Sequence, residues 1–180
     1  QAGGGVIITA SHNPARWNGF KYKPEYGGSA SPEIVTSLEE HIAAVSNNDA
    51  VNTLSWDKAL EIGIGRSIDP ATPYLDHMAR LVDLQGVRDA GLVVAVDAMY
   101  GAGAGYFQSL LSGGNIRVQE IHGDRNPLFP GMVQPEPVAH NLAGLSRAVV
   151  EQGADVTVVG RSGQTTADLA NGPVQRVQPF

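Results

Sequence analysis

The sequence predicts a layered α/β protein with parallel strands. Short β-branched runs (Val6-Ile7-Ile8-Thr9, Leu92–Val96, Ile116–Ile121, Ala154–Val159) alternate with segments whose apolar residues recur at helical spacing. The connections between them are short and rich in the chain's 22 glycines and 11 prolines. Strand, helix and strand in that order, with tight turns, favours parallel pairing through crossover helices.

The elements follow in order. Val6–Thr9 reads as a buried strand, stopped by Ser11-His12-Asn13-Pro14, because proline cannot continue a ladder and Ser and Asn favour turns. Ser31-Pro32-Glu33 is a helix start: an N-cap hydroxyl, a proline in the first turn and an acid at the positive end of the dipole. Ile34, Leu38, Ile42 and Val45 then predict an amphipathic helix over 32–45, and the polar stretch 46–56 reads as a connection. Asp69-Pro70 repeats the start signal ahead of Tyr74, Leu75, Met78, Leu81 and Val82. Leu92–Val96 predicts a buried strand with Asp97 at its carboxyl end; 103–112 predicts a helix, Ile116–Ile121 a strand, 138–152 a helix and Ala154–Val159 a final strand. The boundary between two units is expected between 46 and 70. After Gly160 the chain is polar and broken by Gly172, Pro173 and Pro179, so 160–180 is expected to be loosely ordered.

Composition excludes several function classes. The 180 residues carry a net charge of −6, which offers no footprint for a phosphate backbone. No apolar run approaches the roughly 20 residues of a membrane span, and with no cysteine there is no disulfide framework. No basic segment followed by an apolar stretch opens the chain, so the expectation is a cytoplasmic protein, and the abrupt start at Gln1 suggests a fragment.

Three places could carry chemistry. Thr9-Ala10-Ser11-His12-Asn13-Pro14 delivers a serine to a turn at the carboxyl end of a strand, where α/β proteins bind ligands. A hydroxyl there can carry a phosphoryl group, with His12 as proton carrier and Lys21 as a cation for phosphate oxygens; an ordinary polar turn is the plainer reading. A serine-hydrolase elbow is ruled out by the missing Gly-x-Ser-x-Gly. Gly101-Ala102-Gly103-Ala104-Gly105 has the strand-to-helix context of a dinucleotide loop, but Tyr106 replaces the last glycine and Asp97 precedes the loop, so close turning explains it. His122-Gly123-Asp124-Arg125 reads as a solvated turn, His41 and His77 as surface residues on helices, and Trp17, Trp56 and Phe129 as packing residues.

Thr9–Pro14 together with Asn18-Gly19-Phe20-Lys21 resembles the active-site serine segment of the α-D-phosphohexomutases (phosphoglucomutase/phosphomannomutase). The likeness continues through Lys21–Ala30, Asp69-Pro70 to Leu81, Val94–Gly101, Asn126-Pro127 to Gly131, Pro135-Glu136-Pro137 and Gly153-Ala154-Asp155, covering about residues 1–159. It implies three-layer α/β/α domains, here incomplete: 1–56 as the end of domain I, 69–159 as most of domain II, and 160–180 as a divergent tail. It implies intramolecular phosphoryl transfer on glucose or mannose phosphates through a phosphoserine at Ser11 and a bisphosphorylated sugar. His12 and Lys21 take the acid–base and phosphate-contacting positions, and Asn13 and Asn18 shape the substrate loop. Mg²⁺ is implied on the phosphate of Ser11, with glucose 1,6-bisphosphate as activator. The family's Asp-Gly-Asp-x-Asp-Arg metal loop is missing, since no aspartate stands between 156 and 167. The resemblance stops near Thr157, which suits a frameshift, with a selected divergent tail as the rival. The chain alone is therefore expected to show little mutase activity, and a non-catalytic α/β module that keeps the serine loop is the alternative.

Overall fold

A computed structural model describes residues 2–9, 12–47 and 51–160. The chain divides into two compact units, one made of Gln1–Ile7 with Phe20–Pro70, the other of Ile8–Gly19 with Ala71–Phe180. The expected tail after Gly160 lies outside the described residues.

In the first unit, β1 (Gly4–Thr9) pairs with β2 (Gly19–Pro24) in a two-stranded sheet. The second strand was not expected, although Phe20 and Tyr22 alternate with Lys21 and Lys23 as a half-exposed strand requires. The burial expected for Val6–Thr9 is not observed: Val6 and Ile8 are 55% and 63% exposed. Two strands alone cannot bury a face. Helix α1 (Pro32–Asn47) starts where the cap signal predicts, with Ile34 N–H 3.5 Å from Ser31 Oγ. A short helix α2 (Trp56–Glu61), not expected, begins at the last residue of the expected connection and is capped by Ser55, whose hydroxyl accepts from Lys58 N–H at 3.3 Å. Trp56 and Trp17 are both 55% exposed, contrary to the packing role expected of them; Trp17 instead lies under the Arg16 guanidinium, 5.3 Å from the ring centroid.

The second unit holds the parallel sheet. Helices α3 (Ala71–Leu81) and α4 (Leu84–Asp89) precede β3 (Val93–Asp97), which is buried along its whole length. Helix α5 (Tyr106–Leu111), β4 (Arg117–Ile121), α6 (Ala143–Gln152) and β5 (Val156–Val159) follow. The strand order is β4-β3-β5, with Asp97 beside Ile121 on one side and Val159 on the other. Burial on both faces and both edges explains why β3 reads as an unbroken apolar run.

The two faces of β3 are filled differently. Val94 and Val96 pack with Ile116 and with Val87 of α4 and Phe107 and Leu111 of α5. The opposite face, with Val93 and Ala95, is covered by α6 through buried Leu145 and Ala148. This is a three-layer α/β/α arrangement, and each fully buried valine or leucine contributes about 1.5–3 kcal/mol. Helix α4 was not foreseen: it is six residues long, contains Gly86, and depends on Asp83 Oδ1 accepting from Gly86 N–H at 2.9 Å. Helix α6 begins at Ala143 rather than 138, because 138–142 turns tightly, with Asn141 and Leu142 N–H both bonded to Val138 O.

Candidate active site

The carboxyl end of the parallel sheet is where the second unit concentrates its polar groups. Asp97 ends β3 with no exposed surface. Its Oδ1 accepts from Met99 N–H at 2.9 Å and meets His122 Nδ1 at 2.8 Å. A carboxylate oxygen only accepts, so the imidazole nitrogen is the donor, which puts the proton on Nδ1. The Tyr100 ring lies 4.6 Å from the imidazole. Met99, Tyr100 and His122 have φ of 47°, 58° and 49°, in the left-handed region that non-glycine residues avoid. The main chain compensates with Tyr100 N–H to His122 O at 2.9 Å and Ala98 N–H to Ile121 O at 3.2 Å. His122 is thus a half-buried, carboxylate-held residue and not the solvated turn expected from its Gly-Asp-Arg neighbours.

The glycine-rich loop after β3 is closed to a phosphate. Gly105 N–H, at the start of α5, donates to Glu120 Oε1 at 2.8 Å, so a carboxylate of β4 holds the place an anion would need. A cavity of about 600 Å³ opens at the other, amino end of β3 and β4 beside Val93, Ile116 and Arg117, away from Asp97 and His122.

Of the residues expected to carry chemistry, Ser11 lies outside the described residues. His12, Asn13 and Asn18 stand in the turn between β1 and β2, with Asn13 and Asn18 exposed and His12 half-buried. Lys21 is exposed on β2. His12 reaches a partner the sequence did not suggest: its Nε2 is 3.5 Å from Glu136 Oε1, in the loop before α6. Glu136 follows Pro135, one of the fully buried side chains, and its Oε2 accepts from Gln134 Nε2 at 2.8 Å. Asn141, 5% exposed, donates through Nδ2 to both Gln134 O and Glu136 O at 2.8 Å. No local motif announces this loop; only the Pro-Glu-Pro order hints at a rigid segment.

The family models for phosphoglucomutase/phosphomannomutase match twice: α/β/α domain I over residues 1–49 and α/β/α domain II over residues 72–160. The chain belongs to the phosphohexomutase family. It is 31% identical over 129 residues to a phosphoglucomutase of Komagataeibacter xylinus, covering 69% of this chain and 23% of that protein. It is also 31% identical over 173 residues to a phosphoglucosamine mutase of Salinispora tropica, covering 93% of this chain and 36% of the relative. A crystal structure of a phosphomannomutase-type protein from Thermus thermophilus superimposes with a TM-score of 0.67 at 29% identity, over 90% of this chain and 35% of that one. This phosphohexomutase chain therefore spans about a third or less of the length of these relatives.

The implied Mg²⁺ does not fit the residues present. Among the described residues no group of three or more His, Asp or Glu side chains could hold a metal ion. Asp97 Oδ2 is buried without a hydrogen-bond partner, but it stands as a single carboxylate oxygen, and its twin is committed to Met99 and His122. Mg²⁺ requires an octahedron of oxygens, commonly anchored by one or two carboxylates with water and phosphate completing it. The sequence that follows β5 supplies no aspartate before Asp168.

Proposed function

We propose that this chain carries the phosphoryl-accepting segment of a phosphohexomutase acting on glucose or mannose phosphates, with Ser11 as the acceptor. The observation that supports it best is the domain I match over residues 1–49, which spans Thr9–Pro14 and Asn18–Lys21. In this reading Ser11 Oγ attacks a phosphorus of glucose 1,6-bisphosphate. An Oγ–P bond forms, the sugar O–P bond breaks, the serine proton passes to His12 and the departing sugar oxygen takes up a proton. The reverse step on a hexose monophosphate regenerates a bisphosphate, so the two together move a phosphoryl group between two oxygens of one sugar. Lys21 neutralises phosphate oxygens, and Asn13 and Asn18 shape the loop around them.

In the same reading residues 1–56 are the end of domain I, 69–159 are most of domain II, and the partner is a small hexose phosphate in the cytoplasm. Because no metal loop follows β5, the chain alone turns substrate over poorly, and no step here runs through a metal. That same missing loop favours the second reading, a non-catalytic α/β module that keeps the serine segment. Incubation with glucose 1,6-bisphosphate followed by mass spectrometry separates the two: the phosphoryl reading expects a gain of about 80 Da on Ser11, absent in Ser11→Ala. An unlabelled wild-type chain would favour the module.

A further inference from the structure

We propose that His122, held by Asp97 at the carboxyl ends of β3 and β4, is a binding site for a sugar hydroxyl, with His122 Nε2 as the acceptor. The ligand it fits is the hexose ring of a hexose phosphate. The proposed function above supplies only that choice of sugar; the geometry needs neither Ser11 nor a metal.

The topology puts the pair where an open sheet receives ligands. β3 and β4 are neighbours in the sheet. The chain leaving β3 runs to α5, which packs on the face of Val94 and Val96. The chain leaving β4 runs to α6, which covers the opposite face through Leu145 and Ala148. Neighbouring strands whose connections part in this way define the switch point at which α/β sheets bind small molecules. Asp97 ends one of these strands and His122 follows the other. No helix or strand interrupts the chain between Ile121 and Ala143, and long irregular loops in a compact domain are commonly functional.

The hydrogen bonds fix what the ring can do. The Asp97 carboxylate only accepts, so the proton lies on His122 Nδ1 and Nε2 of the neutral ring keeps its lone pair. Among the described residues Nε2 has no hydrogen-bond partner. The buried side-chain atoms left without one are Arg88 Nε, Asp97 Oδ2 and Asn141 Oδ1, so Nε2 is reached by solvent on a side chain that is 26% exposed. A buried carboxylate behind Nδ1 polarises the imidazole and makes Nε2 the better acceptor. It also opposes an anion at that nitrogen, because Asp97 Oδ2 has no donor of its own to offset the charge. The ligand that suits the site is therefore a neutral donor, and a hydroxyl is the neutral donor a sugar carries.

Two neighbours shape the approach. The Tyr100 ring stands 4.6 Å from the imidazole and supplies apolar surface beside the polar nitrogen. In the first turn of α6, a Cβ on Gly144 would lie 4.0 Å from His122 Cε1, the carbon between the two nitrogens. Glycine at 144 keeps that space free of a side chain. Met99, Tyr100 and His122 are all held in the left-handed region, and such strain collects where it serves a site.

Long-range ¹H–¹⁵N spectra of the full chain test the proposal. In the free protein His122 should carry its proton on Nδ1. Glucose 1-phosphate should shift the His122 Nε2 resonance while the exposed His77 and His140 stay in place. Glucose should do the same, with dissociation constants of about 1–10 mM for so open a site, and inorganic phosphate should not. A proton on Nε2, a His122 signal that neither sugar moves, or a shift produced by inorganic phosphate would each overturn the proposal. Gly144→Leu sets a side chain over Cε1, and binding in it should weaken at least about tenfold while Nδ1 stays protonated; full binding there would count against the site. His122→Phe keeps a ring and removes both nitrogens, and glucose binding read from the Tyr100 amide should fall about tenfold. Binding as tight as in the wild type would place the sugar elsewhere. A chain that fails to label Ser11 would sink the phosphoserine reading and leave every one of these outcomes decisive.

Discussion

Asp97 and His122, 25 positions apart in the chain, meet at 2.8 Å across the carboxyl ends of the neighbouring strands β3 and β4. The contact joins two segments whose backbones are held in the left-handed region, Met99-Tyr100 on one side and His122 on the other. Each such residue costs about 1–2 kcal/mol relative to ordinary backbone. A strained pair of turns persists only where side chains over-determine it. Asp97→Ala removes the acceptor of both Met99 N–H and His122 Nδ1 from a site with no exposed surface. It should lower unfolding free energy by about 3 kcal/mol, against roughly 1 kcal/mol for His122→Gln. Urea unfolding followed by far-ultraviolet circular dichroism measures both; equal small losses would mean that Asp97 does not hold the turns.

Much of this arrangement was legible in the sequence, and the reasons differ from residue to residue. Val93–Asp97 announced itself because a strand covered on both faces must be apolar throughout, and the apolar spacing of Leu142, Leu145 and Val149 marked α6. The family was legible because the serine segment is an ordered string of residue types and not a composition. Helix α4 was not, since six residues with a central glycine carry no period. Val6 and Ile8 were misread as buried because an unbroken β-branched run reports a strand, not how far its faces are covered. His122 was misread because its partner comes from another strand, and local neighbours say nothing of register. The contacts of Glu136 were missed for the same reason: they are with Asn141, Gln134 and His12, which no short window contains together.

Gly114 offers a sharp test of the connection between α5 and β4. It has a φ of +67°, and a Cβ built there would stand 2.7 Å from Arg88 O, the carbonyl that also accepts from Asn115 and Ile116 N–H. Gly113, with a φ of +98°, would meet nothing within 4 Å. Gly114→Ala therefore combines backbone strain with overpacking against main chain and should cost about 2–4 kcal/mol, whereas Gly113→Ala bears only the strain, about 1 kcal/mol. Chemical denaturation of the two variants side by side is the measurement, and the ordering is the result that matters.

The start of α1 predicts a pH dependence. Ser31 donates a hydrogen bond to the Glu33 carboxylate, and with the backbone N–H of Glu33 it holds that carboxyl below its ordinary value. A carboxyl whose folded value is depressed adds stability above its unfolded value and loses it as pH falls through the folded value. The contribution is thus present at neutral pH and disappears under acid, below the ordinary glutamate range. Ser31→Ala should lessen the depression in a ¹³C titration of the Glu33 carboxyl, the backbone N–H remaining, and, through the lost cap, destabilise α1 by about 1 kcal/mol at neutral pH. An unaltered Glu33 titration in that variant would show that the serine hydroxyl is not its partner.

The last prediction concerns the loop on which Glu136 stands. Asn141 is 5% exposed, and its single amide nitrogen serves two carbonyls, Gln134 O and Glu136 O, each at 2.8 Å. Its own Oδ1 is buried without a partner, so the side chain is tolerated for its donors alone. Asn141→Asp keeps the shape and removes both donors, setting a carboxylate against two carbonyl oxygens. Asn141→Leu removes the donors without adding charge, and leaves Gln134 O only the Glu136 N–H and Glu136 O only the Val138 N–H. Each lost hydrogen bond costs about 0.5–1.5 kcal/mol and a buried charge set against carbonyl oxygens more, so both variants should be destabilised, the aspartate the more. Hydrogen exchange sharpens the comparison: Val138 O accepts from Asn141 and Leu142 N–H in the turn that begins α6, and these two amides should lose protection in both variants while the amides of β3 keep theirs. Equal loss of protection in β3 would mean that Asn141 supports the whole sheet and not the loop that presents Glu136.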